Sequence, residues 1–287
     1  MSKVVVITGT STGVGLATSI LFAKNGFKVY ATMRNIAKQD LLLAEAKKEN
    51  VTVNVEVLDV TNTRSVQSCI KNIMDKEGKI DVLINNAGAG YIRSTEQSTM
   101  EEVEWVTDVN YYGVIRCTKA VLPLMRAAKS GHIINITSVG GLVGQPFNEF
   151  YCGAKFAVEG YTEALASYVT EAFGIQFSLV EPGGISSEFA NNVLAQAAST
   201  GGMRDDVYLP LLQQYIGGAQ ARAKTEGASI YQTSEQVAKV ILDVAQSENP
   251  PLRTRTSKWS NEFTHLKTVG DPDGTKLVNE VIDRFMK

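Results

Sequence analysis

Short apolar runs alternate with longer segments of helical period along most of this chain. Lys3–Thr8 (KVVVIT) is β-branched and bounded by glycine, the pattern of a buried strand. Further strands are predicted at Phe27–Met33, Val51–Leu58 and Asp81–Ile84, in the HIINIT run opened by His132, and at Ile175–Glu181. Between them Leu16–Lys24, Asn62–Gly78, Thr99–Ala128 and Asn148–Phe173 carry a helical period, as does Ser234–Gln246 later. A short basic run, Leu252–Thr256, is a last strand candidate. Strands alternating with helices predict an α/β fold with a doubly wound parallel sheet. The pattern weakens over residues 188–232, where small residues precede a mixed helical piece. A long segment of this kind after the sixth strand predicts a lid over a site. Without repeats or low-complexity tracts, we read residues 1–287 as one domain, with a C-terminal extension over about 257–287.

Composition narrows the class. The 287 residues are 44% hydrophobic and 20% charged, with net charge −2, which argues against nucleic acid or another polyanion as partner. Cys69, Cys117 and Cys152 are odd in number and dispersed, as reduced thiols of a cytoplasmic protein would be, and they form neither a disulfide framework nor a metal knot. No run approaches the ~18 apolar residues of a membrane span. The first strand begins at Lys3, leaving no room for a signal peptide.

Two stretches carry candidate chemistry. In TSVGGLVGQPFNEFYCGAK, Ser138 follows the fifth strand, and Tyr151 and Lys155 stand four apart, on one side of a helix if the run from Asn148 is helical. A lysine ammonium beside a tyrosine favours the phenolate, so the pair would make an acid/base tuned toward neutral pH. The spacing alone also fits a surface helix carrying both residues by accident. At the start of the chain, Gly9, Ser11, Thr12, Gly13, Val14 and Gly15 form a glycine-rich turn between strand and helix, where backbone N–H groups can approach a pyrophosphate.

T-G-x-x-x-G-x-G at the N-terminus, with S…Y-x-x-x-K later, resembles the short-chain dehydrogenase/reductase family. The likeness runs from residue 3 to about residue 250. It implies a Rossmann fold with seven strands in the order 3-2-1-4-5-6-7. It implies a hydride transfer between a nicotinamide cofactor and a carbonyl or alcohol carbon. Ser138 would hold the substrate oxygen and Tyr151 would transfer the proton. Lys155 would depress the tyrosine pKa and grip the nicotinamide ribose, and Asn110, through its backbone carbonyl and a water, would connect the site to solvent. Asp59 with Val60 would bind adenine. Asn86, Ala87 and Gly88 of N-N-A-G would pass the adenosine ribose. Pro182, Gly183, Ile185 and Ser187 would hold the nicotinamide carboxamide side. At the end of the second strand Thr32 stands where a ribose-binding carboxylate is expected, and Arg34 follows, so NADP is expected over NAD. The segments VYATMR and SVGGLVGQPF-N-x-x-Y-C resemble the branch of 17β-hydroxysteroid dehydrogenase type 1 and photoreceptor retinol dehydrogenase. The steroid enzyme's lid histidine has no counterpart in residues 188–232, which puts estrogen in doubt. The family's pairing of long helices implies a homodimer. Apolar and aromatic lid residues between Phe189 and Ile216, with few charges, lead us to expect a lipophilic ketone, aldehyde or alcohol as substrate.

Two other classes fit parts of the chain. G-x-S-x-G around Ser11 matches a serine hydrolase elbow, although no earlier strand supplies a second oxyanion donor. A nucleotide-sensing protein that keeps the fold without turnover is the other.

Overall fold

Five β-branched or apolar residues, Val4–Thr8 (β1), occupy the middle of the sheet and are all buried. The computed structural model of the chain describes residues 2–285. Around β1 stand β2 (Lys28–Met33), β3 (Asn54–Val57), β4 (Val82–Asn85), β5 (Gly131–Ile136) and β6 (Ile175–Glu181). A two-stranded pair, β7 (Gly184–Ile185) and β8 (Tyr231–Gln232), lies apart from them, and β9 (Arg253–Arg255) completes the main sheet. The order is β3-β2-β1-β4-β5-β6-β9, with every neighbouring pair parallel. This is the seven-stranded, doubly wound arrangement expected, the basic Leu252–Thr256 run supplying the seventh strand. A parallel sheet needs both faces covered, which explains the near-continuous apolar strands.

Helices α1 (Gly13–Lys24), α2 (Asp40–Lys48), α3 (Thr63–Glu77), α4 (Met100–Thr107), α5 (Gly113–Ala128) and α6 (Glu149–Phe173) precede the lid. Later come α7 (Phe189–Ser199), α8 (Leu209–Ile230), α9 (Ser234–Gln246), α10 (Lys258–Thr268) and α11 (Thr275–Phe285). One core joins α3, α5 and α6 to one face of the sheet through Ile73, Val121 and Val169. A second joins α1 and α9 to the other through Phe22, Val237 and Ile241. Caps set several starts: Asn62 accepts from Ser65 N–H at 3.1 Å ahead of α3, and Thr99 and Glu102 form a capping box ahead of α4.

The helical stretch expected over Thr99–Ala128 is not continuous. A π-helical turn, Asp108–Tyr112, separates α4 from α5, and Asn110 lies inside it. Such turns widen the ladder and recur at functional sites. The lid consists of α7, a turn and α8, bracketed by β7 and β8. The C-terminal segment is helical as well, so His265 sits on α10 and not in an irregular tail. Among the described residues, no helix is long and apolar enough to cross a membrane.

Candidate active site

The glycine turn after β1 is stitched to the N-N-A-G turn after β4. Asn86 Nδ2 donates to Thr8 O at 2.8 Å and to Gly9 O at 3.0 Å, while Asn86 N–H and Ala87 N–H both donate to Thr8 Oγ1 at 3.0 Å. The approach is too close for side chains. Gly9 has φ +72°, and a Cβ on it would lie 2.8 Å from Ala87 Cα. A Cβ on Gly15 would lie 2.2 Å from Gly9 O and 2.5 Å from Asn86 Nδ2. The outcome is a bare backbone cradle at the N-terminus of α1, where N–H groups and the helix dipole favour a phosphate. Gly13, with φ +60°, lies across from Ser187, whose Cβ would be 3.7 Å from a Cβ there. The expected two sides of a dinucleotide site, residues 9–15 and 182–187, therefore face one another.

Arg34 is exposed just beyond β2 and has no hydrogen bond or ion pair among the described residues, leaving its guanidinium available to an anion. Thr32 departs from expectation. It is fully buried, and its hydroxyl donates to Ile7 O at 3.0 Å, so it faces the sheet interior and not a ribose. A carboxylate placed there would be buried and unpaired, and Thr32→Asp is expected to destabilise the sheet before it changes cofactor preference. Asp59 Oδ1 accepts from Thr61 N–H and Thr61 Oγ1, at 3.0 and 2.8 Å, holding the carboxylate at the end of β3. Val60 is packed against Gly113, and its carbonyl accepts from Arg116.

Ser138, Tyr151 and Lys155 come together at the end of β5. Ser138 caps a short turn, Val139–Gly141, and its Oγ accepts from Gly140 N–H at 3.0 Å, leaving its own proton free to donate. Lys155 is buried. Its Nζ donates to Ile136 O at 2.9 Å and stands 5.7 Å from the centre of the Tyr151 ring. Gly88 leaves space beside it, since a Cβ there would lie 3.6 Å from Lys155 Nζ and 3.0 Å from Asn110 Oδ1. Asn110 is buried with its side chain fully engaged: Nδ2 donates to Ala89 O and Val106 O, both at 2.8 Å, and Oδ1 accepts from Ala89 N–H. Its amide thus fixes the turn after β4 and takes no direct part in a proton path.

Electrostatics differ from the expectation for an isolated Tyr–Lys pair. Burial pushes the Tyr151 hydroxyl up to about 12, against a smaller lowering by the Ser138 side chain. Burial also lowers Lys155 to about 8, opposed by the charge of Glu159. Desolvation dominates both groups, so in the protein alone Tyr151 is a neutral phenol at pH 7 and Lys155 remains an ammonium below about 8.

The lid rests directly on this floor. The Phe189 ring lies 5.9 Å from the Tyr151 ring, and Val193 and Phe189 fill the space where Gly90 has no side chain. Arg93, itself buried, donates from Nη2 to Thr200 O and Thr200 Oγ1 at 2.8 Å, and Gln97 Nε2 donates to Asp206. Tyr215 of α8 meets Asn148, just ahead of α6, at 3.2 Å. The cavity left under the lid, among Ile92, Leu194, Met203, Leu212 and Ile216, is about 20 Å³, roughly the room of one water. Tyr151 and Ser138 are each only half-buried beside it. Tyr91, expected to line the pocket, is buried with its hydroxyl on Ser98 and Glu102.

Sequence reasoning missed the C-terminal contribution. Trp259 and Ser260 of α10 cover Gly183, where a Cβ would lie 2.8 Å from Ser260 Oγ and 2.9 Å from the Trp259 ring. The only local signal was the Ser257 cap ahead of a helical stretch. The Ser11 hydrolase reading gains nothing: no hydrogen bond joins Ser11 to a histidine among the described residues, and His132 is spent on Ser178 Oγ at 2.9 Å.

Comparison with known proteins agrees with this geometry. A family model described as short chain dehydrogenase matches residues 3–198. The chain is 36% identical to retinol dehydrogenase 8 of Homo sapiens, across 96% of this chain and 88% of that protein. It is 34% identical to 17-beta-hydroxysteroid dehydrogenase type 1 of Homo sapiens, across 96% and 83%. In structure it is similar to a short-chain dehydrogenase from Streptomyces avermitilis, with TM-score 0.76, 25% identity and 98% of each chain covered.

Proposed function

This chain belongs to the short-chain dehydrogenase family, and on that premise we propose that it moves a hydride between NADP(H) and a lipophilic ketone, aldehyde or secondary alcohol. The observation that carries the reading is the meeting of Ser138, Tyr151 and Lys155 beside a backbone cradle shaped for a pyrophosphate. The nicotinamide cofactor, when bound, supplies or accepts the hydride. Residues 9–15, Asp59 with Val60, residues 86–88 and residues 182–187 would hold it. Ser138 donates to the substrate oxygen and keeps it over Tyr151. Tyr151 gives its proton to that oxygen in reduction and takes it back in oxidation. Lys155, charged, stabilises the phenolate that a departing proton leaves and grips the nicotinamide ribose, and the backbone at Asn110 connects the lysine to solvent through water. The lid excludes bulk water when closed.

NADP preference rests on Arg34, an exposed cation beside the end of β2 with no ion pair among the described residues, and on the lack of any Asp or Glu between Gly26 and Gln39 to repel a 2′-phosphate. Wild-type enzyme is expected to show higher kcat/KM with NADPH than with NADH. Arg34→Leu should lose roughly tenfold or more with NADPH while leaving NADH nearly unchanged, since a hydrogen bond to a charged group contributes about 1.5–3 kcal/mol. Equal loss with both cofactors would show that Arg34 does not read the phosphate.

Lipophilic substrates are favoured by Phe189 and Val193 above Tyr151, and the two named relatives bear the names of retinol and steroid enzymes. Each apolar Å² of ligand that the lid covers is worth about 25 cal/mol. A series of carbonyls of rising chain length or ring count should show rising kcat/KM, with sugars far below. A maximum on a polyol would reject the reading. Three buried free thiols suit a cytoplasmic, reducing setting.

We read the assembly as a homodimer. Tyr112 of the π-turn and Tyr168 of α6 are exposed aromatics, and Tyr112 lines a groove with Trp105 and Arg116. Light scattering should give twice the chain mass at micromolar concentration, and a monomer would refute the pairing.

A further inference from the structure

Strand β9 brings two guanidinium groups to three glutamates at the edge of the sheet. Arg253 Nε lies 3.2 Å from Glu159 Oε2 and 3.4 Å from Glu181 Oε1, and its Nη2 contacts Glu163. Arg255 Nη1 lies 3.1 Å from Glu181 Oε2. Glu181 is completely buried and Glu159 nearly so. An anchor for β9 alone would be complete with Glu163 and Glu181. Glu159 does more, because of where it stands.

Glu159 is one helical turn past Lys155 on α6. Its Oε1 has no hydrogen-bond partner and lies against Gly141, where a Cβ would be 3.2 Å away. Gly141 closes the turn that Ser138 opens, its N–H donating to Ser138 O at 2.8 Å. A single buried carboxylate on the helix of Tyr151 and Lys155 thus packs against the end of the Ser138 turn. Lys155 itself has no ion-pair partner within reach; its ammonium bonds only Ile136 O. Burial pulls its charge off as pH rises above about 8, and Glu159 is the charge that resists.

We propose that Glu159 is a positioning residue for the reaction: Arg253 of the last strand holds it ionised, and it keeps Lys155 charged and the Ser138 turn seated. The inference rests on the role given to Lys155 above. Of the charged or titratable groups here, Tyr151 lies beside Lys155 and Glu159 one turn further along α6, with Arg253 of β9 on Glu159 and, behind it, Glu163, Glu181 and Arg255. The turn after β4 and the π-turn present Gly88 and Asn110, which do not titrate. The pair Glu159–Glu181 hydrogen-bonds internally, and burial raises both, Glu181 to about 9. Arg253 favours the charged form of Glu159, as Arg255 does that of Glu181.

The test is a pH titration of the Lys155 ammonium by nitrogen NMR in the protein without cofactor, beside the pH profile of kcat/KM. Glu159→Gln should lower the Lys155 midpoint by about one pH unit or more, as loss of a neighbouring opposite charge does. Arg253→Gln should move it the same way, because an unguarded Glu159 takes up a proton. Arg253→Lys should restore most of the wild-type value, and Glu171→Gln, exposed near the end of the same helix, should leave it alone. The alkaline limb of the activity profile should follow the NMR midpoint in each variant. An unchanged midpoint in Glu159→Gln would overturn the proposal and leave Glu159 as an anchor for β9. A moved midpoint with an unmoved limb would also overturn it. If Glu159→Gln does not fold, the Arg253 pair decides. Should no carbonyl be turned over, the reading of the enzyme fails while the NMR shift still tests the charge coupling.

Discussion

Tyr151→Phe is expected to lower kcat by roughly 10²–10⁴-fold, the usual contribution of a positioned general acid or base, with thermal midpoint and cofactor Kd nearly unchanged. The substitution removes one hydroxyl from a ring already packed between Phe189 and the Lys155 side, so the fold has little to lose. The same hydroxyl is raised to about 12 in the protein alone, whereas Lys155 is lowered to about 8. For reduction, Tyr151 is already in its donating form at neutral pH. Lys155, whose folded value lies below its ordinary one, is charged below about 8 and loses its charge as pH rises through that value. The kcat/KM for reduction should therefore stay level through neutral pH and fall above about 8. A Tyr151→Phe variant that kept its full rate would remove Tyr151 from the chemistry altogether.

Gly15→Ala is expected to weaken cofactor binding tenfold or more and to lower stability by about 1–3 kcal/mol, the cost of forcing an extra carbon into a packed site. The added methyl would sit 2.2 Å from Gly9 O, a backbone atom that cannot rotate away. Gly9 O also accepts from Asn86 Nδ2, so displacing it breaks the stitch between the turns after β1 and β4. Gly153→Ala is the control: it lies on α6 with open space where the methyl would go. Titration calorimetry with NADPH and thermal melts would measure both effects. Unaltered cofactor affinity in Gly15→Ala would mean that the cradle is not where the pyrophosphate lies.

Much of the fold and of the site was legible because its signals are local. The glycine turn, N-N-A-G and Y-x-x-x-K each declare a backbone geometry within a few residues, the strand–helix alternation pointed to a parallel sheet, and the family resemblance implied the strand order. Thr32 was misread because β2 is buried on both faces, so apolar patterning carries no sign of which way a residue points. The tyrosine and lysine values could not be read from spacing, since burial, a property of the whole fold, sets both. Arg253 and Arg255 read only as a short basic strand, with no sign of their ion pairs, because their partners, Glu159 and Glu181, lie far away along the chain. The closure of α7 over Tyr151 had no sequence signal at all: the residues that hold it, Arg93 and Gln97, look like ordinary surface polar residues.

The short pair β7–β8 has an architectural effect out of proportion to its size. Gly184 and Ile185 stand beside Tyr231 and Gln232, so the chain leaves for the lid and returns from it at one place. The ends of a long excursion are already joined, and an enclosed loop that doubles in length costs only about 0.6 kcal/mol more in closure entropy. Material between these two strands can be lengthened, shortened or replaced with little effect on the sheet below. The segment between Glu188 and Ile230 is thereby separable from the cofactor-side residues 182–187, and exchanging it is the expected route to a new specificity on the chemistry proposed above.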